Sequence, residues 1–221
     1  MNLNKHLEFF NPQTFKEEIH LVGVGAIGSN ILNQLVRLGF SNIHIYDFDI
    51  VNQHNITNQL YTQEDIGKFK VDAIKEHMLK INPNVNIVKN PEGWNKNNKN
   101  IKGILISALD SINTRRELFE DNEMNFSVKA ALDMRIGLEE AQMYFANWSK
   151  GKEIKTFLST MQYDDSEVVN AVSACGTTLS VLPTIQMIVS IGVMNLLNFL
   201  KQNKYNNSTF IDSIKGIAKS Y

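Results

Sequence analysis

Apolar runs bounded by turn residues predict buried strands at 19–22, 42–46, 85–88 and 103–108, the pattern of a parallel sheet covered on both faces. Between them, apolar residues recur at helical spacing. One helix is predicted over 29–38. A second runs from about 64 or 67 to 81, with Val71, Ile74, Met78 and Ile81 on one face, and a third covers 111–122 with Ser111 as its N-cap. Asn82-Pro83-Asn84 stops the second helix, because proline cannot continue it. A fifth strand is predicted over 127–132. Residues 138–148 alternate and are rich in Tyr and Phe, which predicts a strand returning antiparallel along the sheet edge. Residues 150–161 are expected to add a strand after the Ser149-Lys150-Gly151 turn. The acidic, polar stretch 162–174 reads as a mobile crossover loop, and a long helix follows from about 177 to 202.

This order predicts an α/β fold: a Rossmann-like, mostly parallel sheet with helices on both faces and antiparallel strands added at one side. The expected organisation is an N-terminal segment over 1–18, one domain over 19–202 and a C-terminal tail over 203–221. Phe9, Phe10 and Phe15 are expected to pack on the domain or on a second subunit. The Asn- and Lys-rich stretch 90–102 reads as a solvated loop or frayed helix.

Composition narrows the setting. A chain of 221 residues, 43% hydrophobic and 20% charged, suffices for one α/β domain with a sizeable core. A net charge of −1 gives no electrostatic reason to expect nucleic-acid or membrane partners, and neither is expected. The single cysteine excludes an intramolecular disulfide and points to a reducing, cytoplasmic location. Residues 1–10 lack a long apolar core, so no signal peptide is expected. The stretch 179–200 is long enough to raise a membrane question, but Pro183, Gln186, Ser190, Gly192, Asn195 and Asn198 favour a core helix.

The chemistry concentrates after the first strand. Gly23, Gly25 and Gly28 stand in G-x-G-x-x-G spacing and open the first helix, a turn that bends tightly and brings backbone against phosphate at a helix N-terminus. Asp47 and Asp49 end the second strand about 20 residues later, where such units keep the carboxylate for a ribose hydroxyl. Both are candidate nucleotide ligands, and Asp47 is also read as bracing the loop. The polar stretch 52–62 is expected to lie over the nucleotide.

The run from Asp47 through Asn55, Asn58 and Gln59 to Asp65, Gly67 and Lys70 resembles the signature of the ThiF/MoeB/HesA family, which also contains the ubiquitin-activating enzymes. That pattern is an acidic pair, then N-x-x-R-Q, then a D-x-G-x-x-K-like segment. The likeness continues at Ala108-Leu109-Asp110 with Arg115 beyond it. The segment around Asp133, Arg135 and Gly137 resembles smaller ThiF-like proteins of phages and bacteria. The resemblance implies an adenylyltransferase that uses ATP and Mg²⁺ to activate the C-terminal carboxylate of a small ubiquitin-like or sulfur-carrier protein, acting as a homodimer.

By the same resemblance, Asp49 holds the ribose, Gly23, Gly25 and Gly28 admit the phosphates with Ile27 beside them in the cofactor site, Asn55 and Gln59 contact nucleotide or phosphate, Lys70 pairs with phosphate oxygens, and Asp110, next to Leu109 of the cofactor site, holds magnesium. Asn58 stands where the family has an arginine that meets the triphosphate; Arg37, Lys68 or a second subunit are the candidates to supply that charge. A degenerate module that binds nucleotide or a partner without turnover is the alternative. An NAD-dependent dehydrogenase would share the glycine turn but leaves Asn55, Gln59, Lys70 and Asp110 unaccounted for.

Cys175 sits where related enzymes keep an acyl-accepting thiol, but no base lies near it in sequence, so a structural role stays open beside the catalytic one. The paired CxxC zinc ligands of many family members are absent, and no structural zinc is expected. Arg115 and Arg116 meet either a ligand or neighbouring acids. Arg135 either closes a turn as an ion pair or contacts a substrate tail.

Overall fold

The computed structural model describes residues 1–97, 100–168, 171–172 and 178–221. Among them the strands form one eight-stranded sheet. Its parallel part comprises β1 (Ile19–Val22), β2 (Asn42–Tyr46), β3 (Asn86–Asn90), β4 (Gly103–Ser107) and β5 (Val128–Ile136), which lie in the order β3-β2-β1-β4-β5. β6 (Glu140–Asn147), β7 (Ser208–Asp212) and β8 (Ile217–Ser220) extend it antiparallel beyond β5. This is the expected Rossmann-like arrangement. The strand order reverses between β1 and β4, so a crevice opens at their carboxyl ends.

Both faces are covered. α1 (Ala26–Leu38), α2 (Lys70–Ile81) and α5 (Leu182–Gln202) pack their apolar sides against Ile19, Leu21, Ile43, Ile104, Leu132 and Met143. α3 (Ile112–Asp121) and α4 (Gly151–Ser159) cover the other face, where Phe119, Trp148 and Phe157 pack against Leu105 and Ala131. α5 has the length and apolarity to cross a membrane, yet half of that stretch is buried in the protein. Gly192 lets it close on β5, since a Cβ there would stand 2.7 Å from the Met134 sulfur.

Three expectations are corrected. Residues 150–161 are not a strand: Ile154, Phe157, Leu158 and Met161 recur at helical spacing, and α4 buries that side against Phe119 and Trp148. Residues 203–221 are not merely a tail. β7 and β8 form there because Ile211 and Thr209 fill the positions opposite Ala141 and Met143, a pairing that only the assembled sheet supplies. The long helix begins at Leu182, beyond the expected start near 177, with Pro183 in its first turn where a missing N–H costs nothing. Elsewhere boundaries move by a few residues: α1 begins at Ala26, α2 at Lys70, and β5 runs on to Ile136. Phe10 and Phe15 pack on Phe40, whereas Phe9 stays half-exposed beneath the Lys201 ammonium.

Candidate active site

The turn between β1 and α1 holds the glycines at close quarters. Gly23 has φ +88°, and a Cβ on it would stand 2.7 Å from the Ala108 carbonyl, so the turn rests directly on the end of β4. A Cβ on Gly28 would fall 1.9 Å from the Gly23 carbonyl, which lets α1 seat against the turn. Gly25 differs: apart from its chain neighbours, no heavy atom of the described residues lies within 4 Å of where its Cβ would stand. α1 begins there with no side-chain cap and no acid in its first turn, leaving its leading N–H groups open to an anion. Ile27, next to this opening, points into the core.

The carboxyl end of β2 supplies two acids in different roles. Asp47 Oδ2 accepts from Val24 N–H at 2.8 Å and Oδ1 from Asp49 N–H at 2.9 Å, so it braces the turn. Burial raises its carboxyl above the usual range, against the pull of Lys70 and of those two N–H groups. Asp49 is half-exposed, and its Oδ2 lies 2.7 Å from Lys70 Nζ, whose side chain is 8% exposed. A candidate ribose acceptor and a candidate phosphate cation thus stand paired beside the glycine turn.

The following loop is stitched over α1. Tyr61 donates to Val24 O at 2.7 Å, and burial pushes its hydroxyl pKa up, keeping it a donor. Leu60 N–H donates to Ser29 Oγ, and the buried Asn30 links Ala26 O, Asn58 O and Gln186 of α5. Asn55 Oδ1 accepts from Asn52 N–H, so this oxygen serves the loop itself. Asn58 Nδ2 donates to the carbonyl and hydroxyl oxygens of Ser180, at 3.3 and 2.8 Å. Gln59 Oε1 is buried without a hydrogen-bond partner among the described residues, an acceptor left open beside this loop. Asp65 caps Thr62 and pairs with His77; burial alone would raise its pKa, but these hydrogen bonds outweigh it and hold it at about 2.

Asp110 follows Leu109 at the end of β4, exposed, accepting from Ser111 N–H at 2.9 Å. No cation pairs with it among the described residues. Beside it, Asp165 of the acidic crossover segment accepts from Ile112 N–H and from Ser111 Oγ, at 2.5 and 2.7 Å. Arg116 holds the same segment through Asp164, Met161 O and Tyr163 O. The described part of this segment, expected as a mobile loop, is therefore docked on the N-terminus of α3. Cys175 lies outside the described residues.

The three arginines whose partners the sequence left open resolve into ion pairs. Arg115 reaches Asp133 Oδ1 at 2.5 Å, Met134 O at 2.8 Å, and the Leu109 carbonyl. Arg135 takes Asp133 Oδ2 at 2.7 Å and Thr160. Sequence reasoning missed that Arg115 pins the strand end carrying Asp110, and missed Asn30, Tyr61 and Asp165. The one available signal was polar residues, Ser29 and Asn30, on the packed side of an otherwise apolar helix. Of the substitutes for the family arginine, Arg37 sits in the last turn of α1, bonded to Asn33, about 15 Å along the helix from the glycine turn. Lys68 is paired with Glu76 and Asp65. A shallow depression around Phe69, Lys75 and Leu79 lies on the α2 side, and its charges pair among themselves, as in Lys89–Asp72.

The ThiF family model matches residues 12–219. SUMO-activating enzyme subunit 2 of Dictyostelium discoideum is 37% identical over 117 residues, 50% of this chain and 17% of that protein. Adenylyltransferase and sulfurtransferase UBA4 of Meyerozyma guilliermondii is 28% identical over 184 residues, 79% of this chain and 42% of that protein. This chain therefore spans less than half the length of either relative. Among solved structures, E. coli MccB with ATP superposes with a TM-score of 0.69 at 17% identity, covering 93% of this chain and 63% of that one, a likeness of fold.

Proposed function

The chain belongs to the ThiF family, and from that premise we propose that it adenylates the C-terminal carboxylate of a small ubiquitin-like or sulfur-carrier protein with ATP. The observation that carries the reading is the edge where β1, β2 and β4 end. An uncapped helix start with open space at Gly25 lies between the Asp49–Lys70 pair and the exposed Asp110. In the reaction, a carboxylate oxygen of the carrier attacks the α-phosphorus, the bridging P–O bond to the β-phosphate breaks, and pyrophosphate leaves. Two anions must meet, so the protein's task is to cancel charge and fix geometry.

Asp49 accepts the ribose hydroxyls, which frees Lys70 to turn toward phosphate. The N–H groups of the glycine turn and the first turn of α1 receive the phosphate oxygens, and Gln59 Oε1 is open to a donor on the nucleotide. The donor set fits magnesium: Asp110 is an exposed carboxylate free of a cation among the described residues, and Mg²⁺ binds through one or two carboxylates while keeping waters. The ion would neutralise charge on the leaving pyrophosphate. Among the site residues named here, Lys70 is the cation at hand, so a homodimer that brings a further positive group from the second subunit completes the proposal. The exposed Leu182 and Met194 on α5 suit such pairing. Carrier-dependent ATP–pyrophosphate exchange tests the function; its absence with every C-terminal Gly-Gly carrier tried would overturn it.

One observation favours a second reading. Asn58, in place of the arginine, is engaged with Ser180 in holding the loop. A module that binds ATP without turnover would behave so. Asn58→Arg distinguishes them: it raises the exchange rate of an enzyme short of one cation, and leaves a non-catalytic module silent.

A further inference from the structure

At the opposite end of β1 from the glycine turn, three side chains converge. Glu18 precedes β1, His20 lies within it, and His44 lies in β2 directly opposite His20 in the parallel register. We propose that Glu18, His20 and His44 form a site for a divalent transition-metal ion such as Zn²⁺, bound through two imidazole nitrogens and one carboxylate oxygen.

Glu18 Oε2 lies 3.4 Å from His20 Nε2 and 3.3 Å from His44 Nε2, and the three candidate ligand atoms all fall within 4.8 Å of one another. Ligands about 2.0–2.1 Å from a tetrahedral zinc are separated by about 3.3–3.4 Å, so both spacings already match edges of that tetrahedron. Two further contacts prepare the donors. Tyr46 OH lies 2.9 Å from His20 Nδ1 and fixes that ring from behind, as the outer partners of metal-bound histidines do; Nε2 faces Glu18 Oε2 and accepts from Lys102 N–H at 3.4 Å, a long bond that a metal ion would displace. Lys102 Nζ takes Glu18 Oε1 at 3.0 Å, leaving Oε2 as the single inward oxygen.

The His20 and His44 rings are stacked with centroids 4.5 Å apart. Binding therefore turns the more exposed His44 inward, while the buried His20 stays in place. Two imidazoles and a carboxylate suit Zn²⁺ or its neighbours in the first row and not Mg²⁺, which prefers oxygen. The position ties β1 to β2 at the amino edge of the sheet, away from the carboxyl ends where nucleotide is proposed, and so it acts on stability and not on the adenylation chemistry. Among the described residues no other group of three histidine, cysteine or acidic side chains converges in this way.

The test titrates Zn²⁺ into the metal-free full chain by calorimetry, with Co²⁺ as a spectroscopic probe of tetrahedral geometry. One equivalent per chain is expected, with a thermal midpoint that rises with Zn²⁺ concentration. His44→Ala and Glu18→Gln, both at partly exposed positions, should each weaken binding by ~10-fold or more, while His77→Ala leaves it unchanged. Circular dichroism checks that each variant is folded, and Glu18→Gln carries the test if His44→Ala is not. No saturable one-equivalent binding, or binding that survives both ligand variants, overturns the site.

Discussion

Two clusters of charge stand at the carboxyl ends of the parallel strands, and they differ in what they can do. At β2, Asp49 and Lys70 share one side-chain ion pair beside the backbone bond from Lys70 N–H to Asp49 O, and the carboxylate is half in solvent. At β5, Asp133 is wholly buried between Arg115 and Arg135, and both guanidiniums also hold backbone carbonyls. The first pair can part for a ligand at little cost, because solvent and a phosphate replace what is lost. The second cannot part, because a buried charge left alone costs several kcal/mol. One cluster is suited to a substrate; the other fixes the strand end on which Asp110 stands.

The largest effect should come from the buried side. Asp133→Ala leaves two guanidiniums facing each other in the core and should destabilise the protein by about 3–5 kcal/mol in urea unfolding. A loss below ~1 kcal/mol would mean that water already reaches the pair. The exposed side should respond the other way round. Lys70→Met keeps the apolar stem and removes the charge, so stability should move by no more than ~1 kcal/mol. Exchange should nevertheless fall ~10²–10³-fold, the scale of losing one positioned charge or donor. A variant that loses fold and activity together would show that the two clusters do not differ as described.

Asp65 sharpens the contrast, as a buried carboxylate held by Thr62, by His77 and, at longer range, by the Lys68 ammonium. Its pKa in the folded protein is about 2, against about 3.9 unfolded. A carboxylate with a depressed folded pKa contributes stability above the unfolded value and loses it as pH falls through the folded value. Unfolding free energy should therefore drop by ~2 kcal/mol between about pH 5 and pH 2 from this group, a part that Asp65→Asn removes. Equal slopes in the two proteins would contradict the assignment.

What the sequence made legible follows from range. The glycine turn, Asp47 and Asp49 could be read because a strand, a turn and a helix N-terminus lie within a few residues of one another. The helix over 151–159 was missed because Ile154, Phe157 and Leu158 are few, and the segment followed an alternating strand. β7 and β8 depend on β6 as a template some 60 residues upstream, and nothing local marks them. At the site, Arg115 and Asp133 are 18 residues apart, and only the sheet brings them together. Each of those residues was visible as a charge; its partner was not.

In the proposed function, nucleotide chemistry takes place at the end of β4, on a scaffold that does not need Asp110 to fold. The direct measurement is ATP–pyrophosphate exchange with a carrier protein, run on the unaltered chain and on Asp110→Ala, alongside urea unfolding of both. The expected result is exchange in the unaltered chain, none above background in Asp110→Ala, and unfolding midpoints that coincide, since this carboxylate is exposed and, among the described residues, bonded only to its neighbour's N–H. Exchange that persists undiminished in Asp110→Ala would contradict it.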